Sequence, residues 1–165
     1  DWARSRGLGD VYKRQNFARR INLNLDIFSN LVMCETTIFG RTSMQETVER
    51  GYFSDLWKIY LDEKIIHAEA INFSGDIKEA ITNKTNLNDK YAVNTILITG
   101  KEFINKAELL DINKYENKNV KIAISQWDNK ILIRSIGNNS YYLKFAIVKI
   151  LTYFLGDNLP NVWNS

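Results

Sequence analysis

Two carboxylates stand inside apolar segments of this 165-residue chain, where an acid is unusual. Glu35 lies in the segment VMCETTI, and Glu69 lies in IIHAEAI. An ionised carboxylate in a dry interior costs several kcal/mol unless it is paired, hydrogen-bonded or hydrated. Each acid therefore has one of two explanations. Its carboxylate is hydrogen-bonded or ion-paired to backbone N–H groups, Arg41, Arg134 or a lysine, or it takes part in handling a cation.

His67 stands two residues before Glu69, and the spacing puts both side chains on one face of a strand. Either imidazole nitrogen could join a carboxylate in a weak divalent-ion site. The alternative for a single strand histidine is an ordinary hydrogen bond. Cys34 precedes Glu35 and so points to the opposite face, where we expect it to be part of the core.

Enzymatic chemistry has little support in the motifs. The chain has one histidine and one cysteine, which excludes the zinc patterns that need paired ligands. It contains no phosphate-binding loop, dinucleotide-binding glycine motif, zinc-protease helix or nucleophile elbow. We therefore predict that the protein is not an enzyme.

The elements that would position these residues are mostly strands. Apolar residues alternate with polar ones from Phe17 to Ile27, which predicts a half-buried strand before a turn at Asn30. The segment LVMCETTIF, at 31–39, is apolar or small on both sides and predicts a strand buried on both faces. The segments DLWKIYL and KIIHAEAINF predict a hairpin that turns at Asp62-Glu63.

The second half of the chain adds strands and two helices. The predicted elements are a strand over Tyr91–Thr99, a helix over Lys101–Tyr115, a hairpin of Val120–Trp127 with Lys130–Ile136, and a helix over Tyr141–Leu155. Asn138, Asn139 and Ser140 offer an N-cap to the last helix, and Gly156 ends it. Because this helix is apolar on a broad side, we expect it to be buried in a core or against a partner.

Composition is that of one globular domain, with 45% apolar, 12% aromatic and 25% charged residues. The net charge is +3, but residues 1–15 hold four basic and two acidic residues, so the remainder carries +1. This balance argues against a nucleic-acid binder. The segment RGLGDVYKRQ resembles translated sequencing-adaptor text, so we expect residues 1–15 to be a non-native tail.

Cellular location is read from what the sequence lacks. No 18-residue stretch is apolar enough to cross a bilayer, and no signal peptide is evident. A lone cysteine cannot form an internal disulfide. We therefore expect a cytoplasmic protein without a membrane-spanning segment.

Three blocks of the sequence resemble, in order, those of one known family. ETTIFGRTSMQETVERG followed by SDLWKIYLDEKIIHAEAI is similar to a stretch of the urease accessory protein UreD, also called UreH, that leads from an acid through Gly-Arg to a tryptophan-containing hairpin ending in an acid. WDNKILIRSIG resembles the family's late hairpin with its arginine, here Arg134, and LPNVWNS resembles its Leu-Pro-Arg-Ile-Trp ending. Residues 16–165 are therefore expected to be the C-terminal portion of a single UreD-like domain.

The resemblance implies a fold and a function. It implies a mostly β protein with stacked, β-helix-like sheets and a small helical part near the C terminus. It also implies a non-enzymatic scaffold that binds the accessory protein UreF and, through it, the GTPase UreG. This assembly would dock on apo-urease so that nickel reaches the active site.

The resemblance also gives the two unusual acids a role. An internal passage lined by acidic residues has been proposed as the nickel route in such proteins. Glu35, before Gly-Arg, and Glu69, at the end of the hairpin, match acidic positions of the family. With His67 they are candidates for lining a route for Ni²⁺ in transit. No tightly bound cofactor is expected. A rival function is a stand-alone β-rich ligand-binding domain with no part in metal delivery.

Overall fold

The computed structural model describes residues 14–39, 50–76, 79, 82–83, 87 and 90–163. The chain divides into two compact units, one of residues 1–29 and 40–88 and one of residues 30–39 and 89–165. The strands are β1 (Arg14–Leu25), β2 (Leu31–Ile38), β3 (Arg50–Leu61), β4 (Lys64–Asp76), β5 (Ala92–Thr99), β6 (Val120–Trp127) and β7 (Lys130–Gly137). The longer helices are α1 (Lys101–Glu108) and α2 (Ser140–Leu155). Short 3-10 turns lie at Ile112–Tyr115, Gly156–Asn158 and Asn161–Trp163.

The first unit contains a three-stranded sheet in the order β1-β3-β4. β1 runs parallel to β3 and pairs Ile21 with Trp57. β3 runs antiparallel to β4 and pairs Trp57 with Glu69. Since side chains alternate along a strand, residues that pair across the sheet stand on the same face. Ile21, Trp57 and Glu69 therefore lie side by side.

The second unit contains a four-stranded sheet in the order β2-β5-β7-β6, in which all neighbours are antiparallel. One face carries the row Cys34, Ile96 and Ile133, and this face packs against α1 and α2. The shared hydrophobic core is formed by buried side chains of the sheet and both helices. They are Ala92, Ile96, Ile98, Phe103, Ala107, Val120, Ile122, Ile131, Ile133, Leu143, Ala146, Ile147, Ile150, Leu151 and Phe154.

Both predicted hairpins are present, and both turn without glycine. Asp62 and Glu63 join β3 to β4 with φ of 48° and 61°, and Asp128 and Asn129 join β6 to β7 with φ of 45° and 58°. Two consecutive positive φ values give a turn whose twist matches that of the antiparallel strands. Asn and Asp tolerate this conformation better than Glu does, because their short polar side chains can form local hydrogen bonds.

The turn after β1 lies earlier than the sequence predicted. Alternation predicted a strand to Ile27 and a turn at Asn30, but β1 ends two residues before Ile27. The Asp26 carboxylate accepts a hydrogen bond from the Phe28 backbone N–H at 3.1 Å, and the Ser29 hydroxyl accepts one from the Asp26 N–H at 3.2 Å. These local bonds stabilise a turn in place of further strand.

The helix predicted over Lys101–Tyr115 is wrong in its second half. α1 ends at Glu108, and a separate 3-10 turn covers Ile112–Tyr115. The Asp111 side chain accepts a hydrogen bond from the Asn113 N–H at 3.2 Å and so begins the new turn. A carboxylate that bonds its own backbone in this way competes with continuation of an α-helix.

The last helix follows its sequence signals at both ends. The Asn139 side chain accepts a hydrogen bond from the Tyr141 N–H at 2.8 Å. Gly156, with φ of 53°, ends the helix, and its N–H donates to the Thr152 carbonyl. Trp163 is half-buried and packs against the core of the second unit.

The expected fold class is confirmed: the protein is mostly β, with a small helical part near the C terminus. β1 begins at Arg14, while residues 1–13 lie outside the described residues, so a non-native tail at 1–15 stays a prediction. None of the helices among the described residues has the length and apolar character needed to cross a membrane.

Candidate cation-handling site

One face of the β1-β3-β4 sheet buries charged side chains among large apolar ones. Asp55 is 2% exposed, His67 7% and Glu69 9%, while Trp57 and Ile59 on the same face are 1% and 0% exposed. The register sets this arrangement, because it pairs Trp57 with Glu69 and Ile59 with His67. The predicted placement of His67 and Glu69 on a common face is therefore confirmed.

Asp55 is held by an arginine from the neighbouring strand. Arg19 Nε donates to Asp55 Oδ1 at 3.0 Å, and Arg19 Nη2 donates to Asp55 Oδ2 at 2.6 Å. Trp57 Nε1 also donates to Asp55 Oδ2, at 3.2 Å. These three hydrogen bonds offset the cost of burying the Asp55 carboxylate. The formal charges of Arg19 and Asp55 cancel, so this pair leaves no net charge on the face.

His67 and Glu69 form a second, looser pair. The distance between His67 Nε2 and Glu69 Oε2 is 3.7 Å, which is within ion-pair range but longer than a hydrogen bond. An imidazole nitrogen and a carboxylate oxygen both suit a divalent first-row metal ion. Within the described ranges, no three His, Cys, Asp or Glu side chains come close enough together to hold a metal ion. A pair of such ligands is better suited to weak, transient binding of a cation than to tight storage of it.

Glu35 lies in the second unit, on the edge strand β2. Its side chain is half-buried, so it is less enclosed than the predicted fully buried strand implied. The register places Glu35, Thr95 and Arg134 in one row across β2, β5 and β7. This row lies on the sheet face opposite the helices, because the adjacent row of Cys34, Ile96 and Ile133 packs against them.

The backbone around Glu35 is fixed by Asn94. The Asn94 side-chain amide donates to the Glu35 carbonyl at 2.8 Å, to Thr36 Oγ1 at 3.0 Å and to Cys34 Sγ at 3.2 Å. A fully buried amide that bonds three successive residues of β2 holds the strand in place. Asn94 thereby holds the backbone that carries Glu35 from the opposite face of the sheet.

Cys34 behaves as a core residue, as its spacing predicted. Burial raises the pKa of the Cys34 thiol from 9.0 to about 11. The hydrogen bond from Asn94 lowers this pKa in part, and the neighbouring charge of Glu35 raises it further. A thiol with such a pKa is protonated at neutral pH, and the thiolate is the form that binds metal. The raised pKa therefore makes metal binding by Cys34 less favourable.

The sequence reasoning missed Arg19 and Asp55, although a signal existed. Phe17, Ile21 and Leu23 occupy the apolar side of β1, and Arg19 falls on that same side. Asp55 likewise falls on the side of β3 that carries Trp57. Opposite charges on the apolar sides of two strands would have indicated a pair, provided that the strands were known to be neighbours.

Comparison with known proteins identifies the family. The family model described as UreD urease accessory protein matches residues 11–164. This chain belongs to the UreD family. The match includes every described strand and helix of both units, and it confirms the resemblance seen in the sequence.

Curated relatives agree with the UreD assignment. The chain is 28% identical over 155 residues to the urease accessory protein UreD of Rhizobium leguminosarum bv. viciae, covering 93% of this chain and 56% of that protein. It is 29% identical over 155 residues to UreD of Rhodopseudomonas palustris strain ATCC BAA-98 / CGA009, covering 94% and 55%. For R. palustris strain HaA2 the identity is 26% over 153 residues, covering 93% and 54%. The chain thus spans about half the length of the curated relatives it matches.

Proposed function

We propose that this UreD-family chain is a cytoplasmic scaffold in urease maturation. With UreF, and with UreG through UreF, it docks on apo-urease and helps nickel to reach the active site. The observation that carries the proposal is the family match over residues 11–164. A scaffold role also agrees with the motifs of the chain, which supply no nucleotide-binding loop of their own.

Within this role, Glu69 and His67 line part of a route for Ni²⁺ in transit. Glu69 is 9% exposed and His67 is 7% exposed, so a carboxylate and an imidazole lie among apolar side chains. Both groups can coordinate a cation that passes them. The neighbouring Asp55 does not compete with them for the ion, because its carboxylate oxygens already accept hydrogen bonds from Arg19 and Trp57. Two ligands bind weakly enough to release the ion, which transit requires.

Glu35 is the third residue of the proposed route. It is half-buried on the face of its sheet that lies opposite the helices. Its charge would attract a cation to that face, and Asn94 fixes the strand that carries it. Glu35 and Glu69 belong to different units, so their contributions are tested separately as well as together.

The test is activation of apo-urease with nickel, using this chain with purified UreF and UreG. Glu69→Gln, Glu35→Gln and the double variant keep side-chain size and remove the charge. Glu108→Gln, at an exposed position of α1, is the matched control. Transit predicts an intact complex and reduced nickel delivery for the site variants alone.

Two other results would contradict parts of the proposal. Loss of folding or of the complex in Glu69→Gln would mean that the carboxylate belongs to a buried structural ion pair. Removing one member of such a pair leaves the charge of the other uncompensated and destabilises the protein. Full activation by the double variant would end the transit role while leaving the scaffold role standing. Failure of the unaltered chain to assemble with UreF and apo-urease would overturn the scaffold role itself.

A further inference from the structure

Two buried polar atoms of the second unit lie on neighbouring strands. Asn94, on β5, is 0% exposed, and Ser135, on β7, is 1% exposed. The register pairs these two residues directly across the sheet. Within the described part of the chain, neither Asn94 Oδ1 nor Ser135 Oγ has a hydrogen-bond partner. Because buried polar atoms in native proteins are nearly always bonded to protein or to ordered water, both atoms are candidates to bind a ligand.

The orientation of the Asn94 amide is fixed by β2. Its nitrogen donates to the Glu35 carbonyl at 2.8 Å and to Thr36 Oγ1 at 3.0 Å. The opposite orientation would set Oδ1 against the Glu35 carbonyl, and two acceptors cannot bond each other. Asn94 Oδ1 therefore points away from β2. On the strand at the other side of β5, the residue that faces Asn94 is Ser135.

The first unit contains a serine and an asparagine in the same cross-strand relation. Ser54 and Asn72 pair across β3 and β4, and Ser54 Oγ donates to Asn72 Oδ1 at 2.7 Å. Residues paired in this way can therefore bond directly. Ser135 and Asn94 do not make this bond. The bonds from the Asn94 amide to β2 explain the difference, because they fix the amide and keep its oxygen from moving closer to Ser135.

The separation expected for such a pair suits one bridging water molecule. Side chains that face each other across antiparallel strands have Cβ atoms about 4.5–5.5 Å apart. Two O–H···O bonds of about 2.8 Å that meet at a water oxygen span roughly 4.5 Å. The carboxamide oxygen of Asn94 only accepts, whereas the Ser135 hydroxyl both donates and accepts. A water molecule satisfies both, since it has two donors and two acceptor lone pairs.

The surroundings favour a small neutral ligand over an ion. Asn94, Ile96 and Ile133 are each 0% exposed, so no larger molecule reaches these atoms from solvent. A buried ion without a counter-charge is strongly disfavoured. None of the described side chains in the three neighbouring rows of this face is charged at neutral pH. The rows are Cys34, Ile96, Ile133 and Ile124; Thr36, Asn94, Ser135 and Ile122; and Ile38, Ala92, Gly137 and Val120.

We propose that Asn94 and Ser135 bind one ordered water molecule between β5 and β7. The water donates a hydrogen bond to Asn94 Oδ1 and forms a second bond with Ser135 Oγ. It thereby holds the amide in the orientation whose nitrogen bonds β2. The site lies on the helix-packed face of the sheet, opposite to Glu35, and in a different unit from His67 and Glu69. The proposal is therefore independent of the suggested nickel route.

The test combines a crystal structure of the full chain with relaxation dispersion of solvent water, which counts internal waters that stay longer than nanoseconds. Ser135→Ala removes one partner of the water, and Ser54→Ala is the matched control, since it removes the serine of the directly bonded pair. We expect a water within about 3.2 Å of both Asn94 Oδ1 and Ser135 Oγ in the unaltered chain. We also expect one long-lived water fewer in Ser135→Ala, because internal waters need about two to four hydrogen bonds, and no change in Ser54→Ala.

Other outcomes would overturn the proposal. A direct Ser135–Asn94 hydrogen bond in the crystal structure, with no density between the strands, would replace the water. Density closer than about 2.6 Å to both oxygens would indicate a metal ion. An unchanged count of long-lived waters in Ser135→Ala would mean that these residues do not hold the water. Thermal melting checks that both variants fold. If Ser135→Ala does not fold, the crystal structure of the unaltered chain decides by itself.

Discussion

Arg19 and Asp55 form a two-point ion pair across the parallel strands β1 and β3, with N–O distances of 3.0 and 2.6 Å. The Asp55 side chain is 2% exposed and that of Arg19 is 30% exposed. The pair is a consequence of the parallel pairing of β1 with β3, because the register sets Arg19 directly opposite Asp55. It fixes β1 against the hairpin that carries His67 and Glu69.

Replacing Asp55 by Asn should destabilise the protein. The change removes the negative charge from a buried position and leaves Arg19 without its counter-charge, while an amide oxygen can still accept from Trp57. Breaking a fully buried pair costs about 3–5 kcal/mol. Since Arg19 keeps some contact with solvent, we expect a loss of about 2–4 kcal/mol, measured by urea unfolding.

The control is the double change Arg19→Met with Asp55→Leu. Replacing both members of a buried pair by apolar residues is often close to neutral, so the double variant should be more stable than Asp55→Asn alone. Equal destabilisation of the two would mean that packing, and not charge, explains the result.

Cys34 should react slowly with alkylating reagents. Its pKa is raised from 9.0 to about 11, so the thiolate fraction at pH 8 falls about 100-fold. We expect iodoacetamide to modify the folded chain at least about 100-fold more slowly than the same chain in urea. Similar rates in the two states would show that Cys34 is exposed and its pKa ordinary.

The same thiol should make stability depend on pH in the alkaline range. The folded-state pKa lies above the unfolded value, so this contribution is fully present below pH 9.0 and is lost as pH rises towards about 11. In Cys34→Ala, this part of the decline should disappear from unfolding free energies measured across the same range. An unchanged slope in the variant would assign the decline to other groups.

Glycine at the second turn position should stabilise the two hairpins unequally. Glu63 has φ of 61° and Asn129 has φ of 58°. The left-handed conformation costs most L residues about 1–2 kcal/mol, and Asn less. Glycine removes this strain but adds flexibility to the unfolded chain. We expect Glu63→Gly to raise the free energy of unfolding by about 0.5–1 kcal/mol and Asn129→Gly to change it less. The reverse order in thermal melts would contradict the strain argument.

Truncating Trp163 should cost stability in the second unit. Its ring packs against the core but is half-buried. A fully buried Trp→Ala change costs about 3–5 kcal/mol, so we expect about 2 kcal/mol here. Trp163→Phe keeps much of the contact and should lose less than half as much. Wild-type stability in Trp163→Ala would show that the C-terminal contact contributes nothing to the fold.

The sequence by itself determined most of the local elements and the unusual residues. Alternation and turn residues predicted the two hairpins, since strands adjacent in sequence pair through a short connection. Asn139 and Gly156 located α2, because capping bonds are local. Glu35 and Glu69 were recognisable as acids in apolar strands, because alternation reports which face a side chain takes.

The tertiary structure alone decided which strands are neighbours. β1 pairs with β3 at a separation of 36 residues between Arg19 and Asp55, and no local pattern encodes that pairing. Asn94 holds the backbone of β2 from 59 residues away in the same manner. The side-chain period gives the face of a strand but not its partner or register, which are set when whole sheets pack. For this reason the candidate acids were found from the sequence, whereas Arg19, Asp55 and Asn94 were found only in the fold.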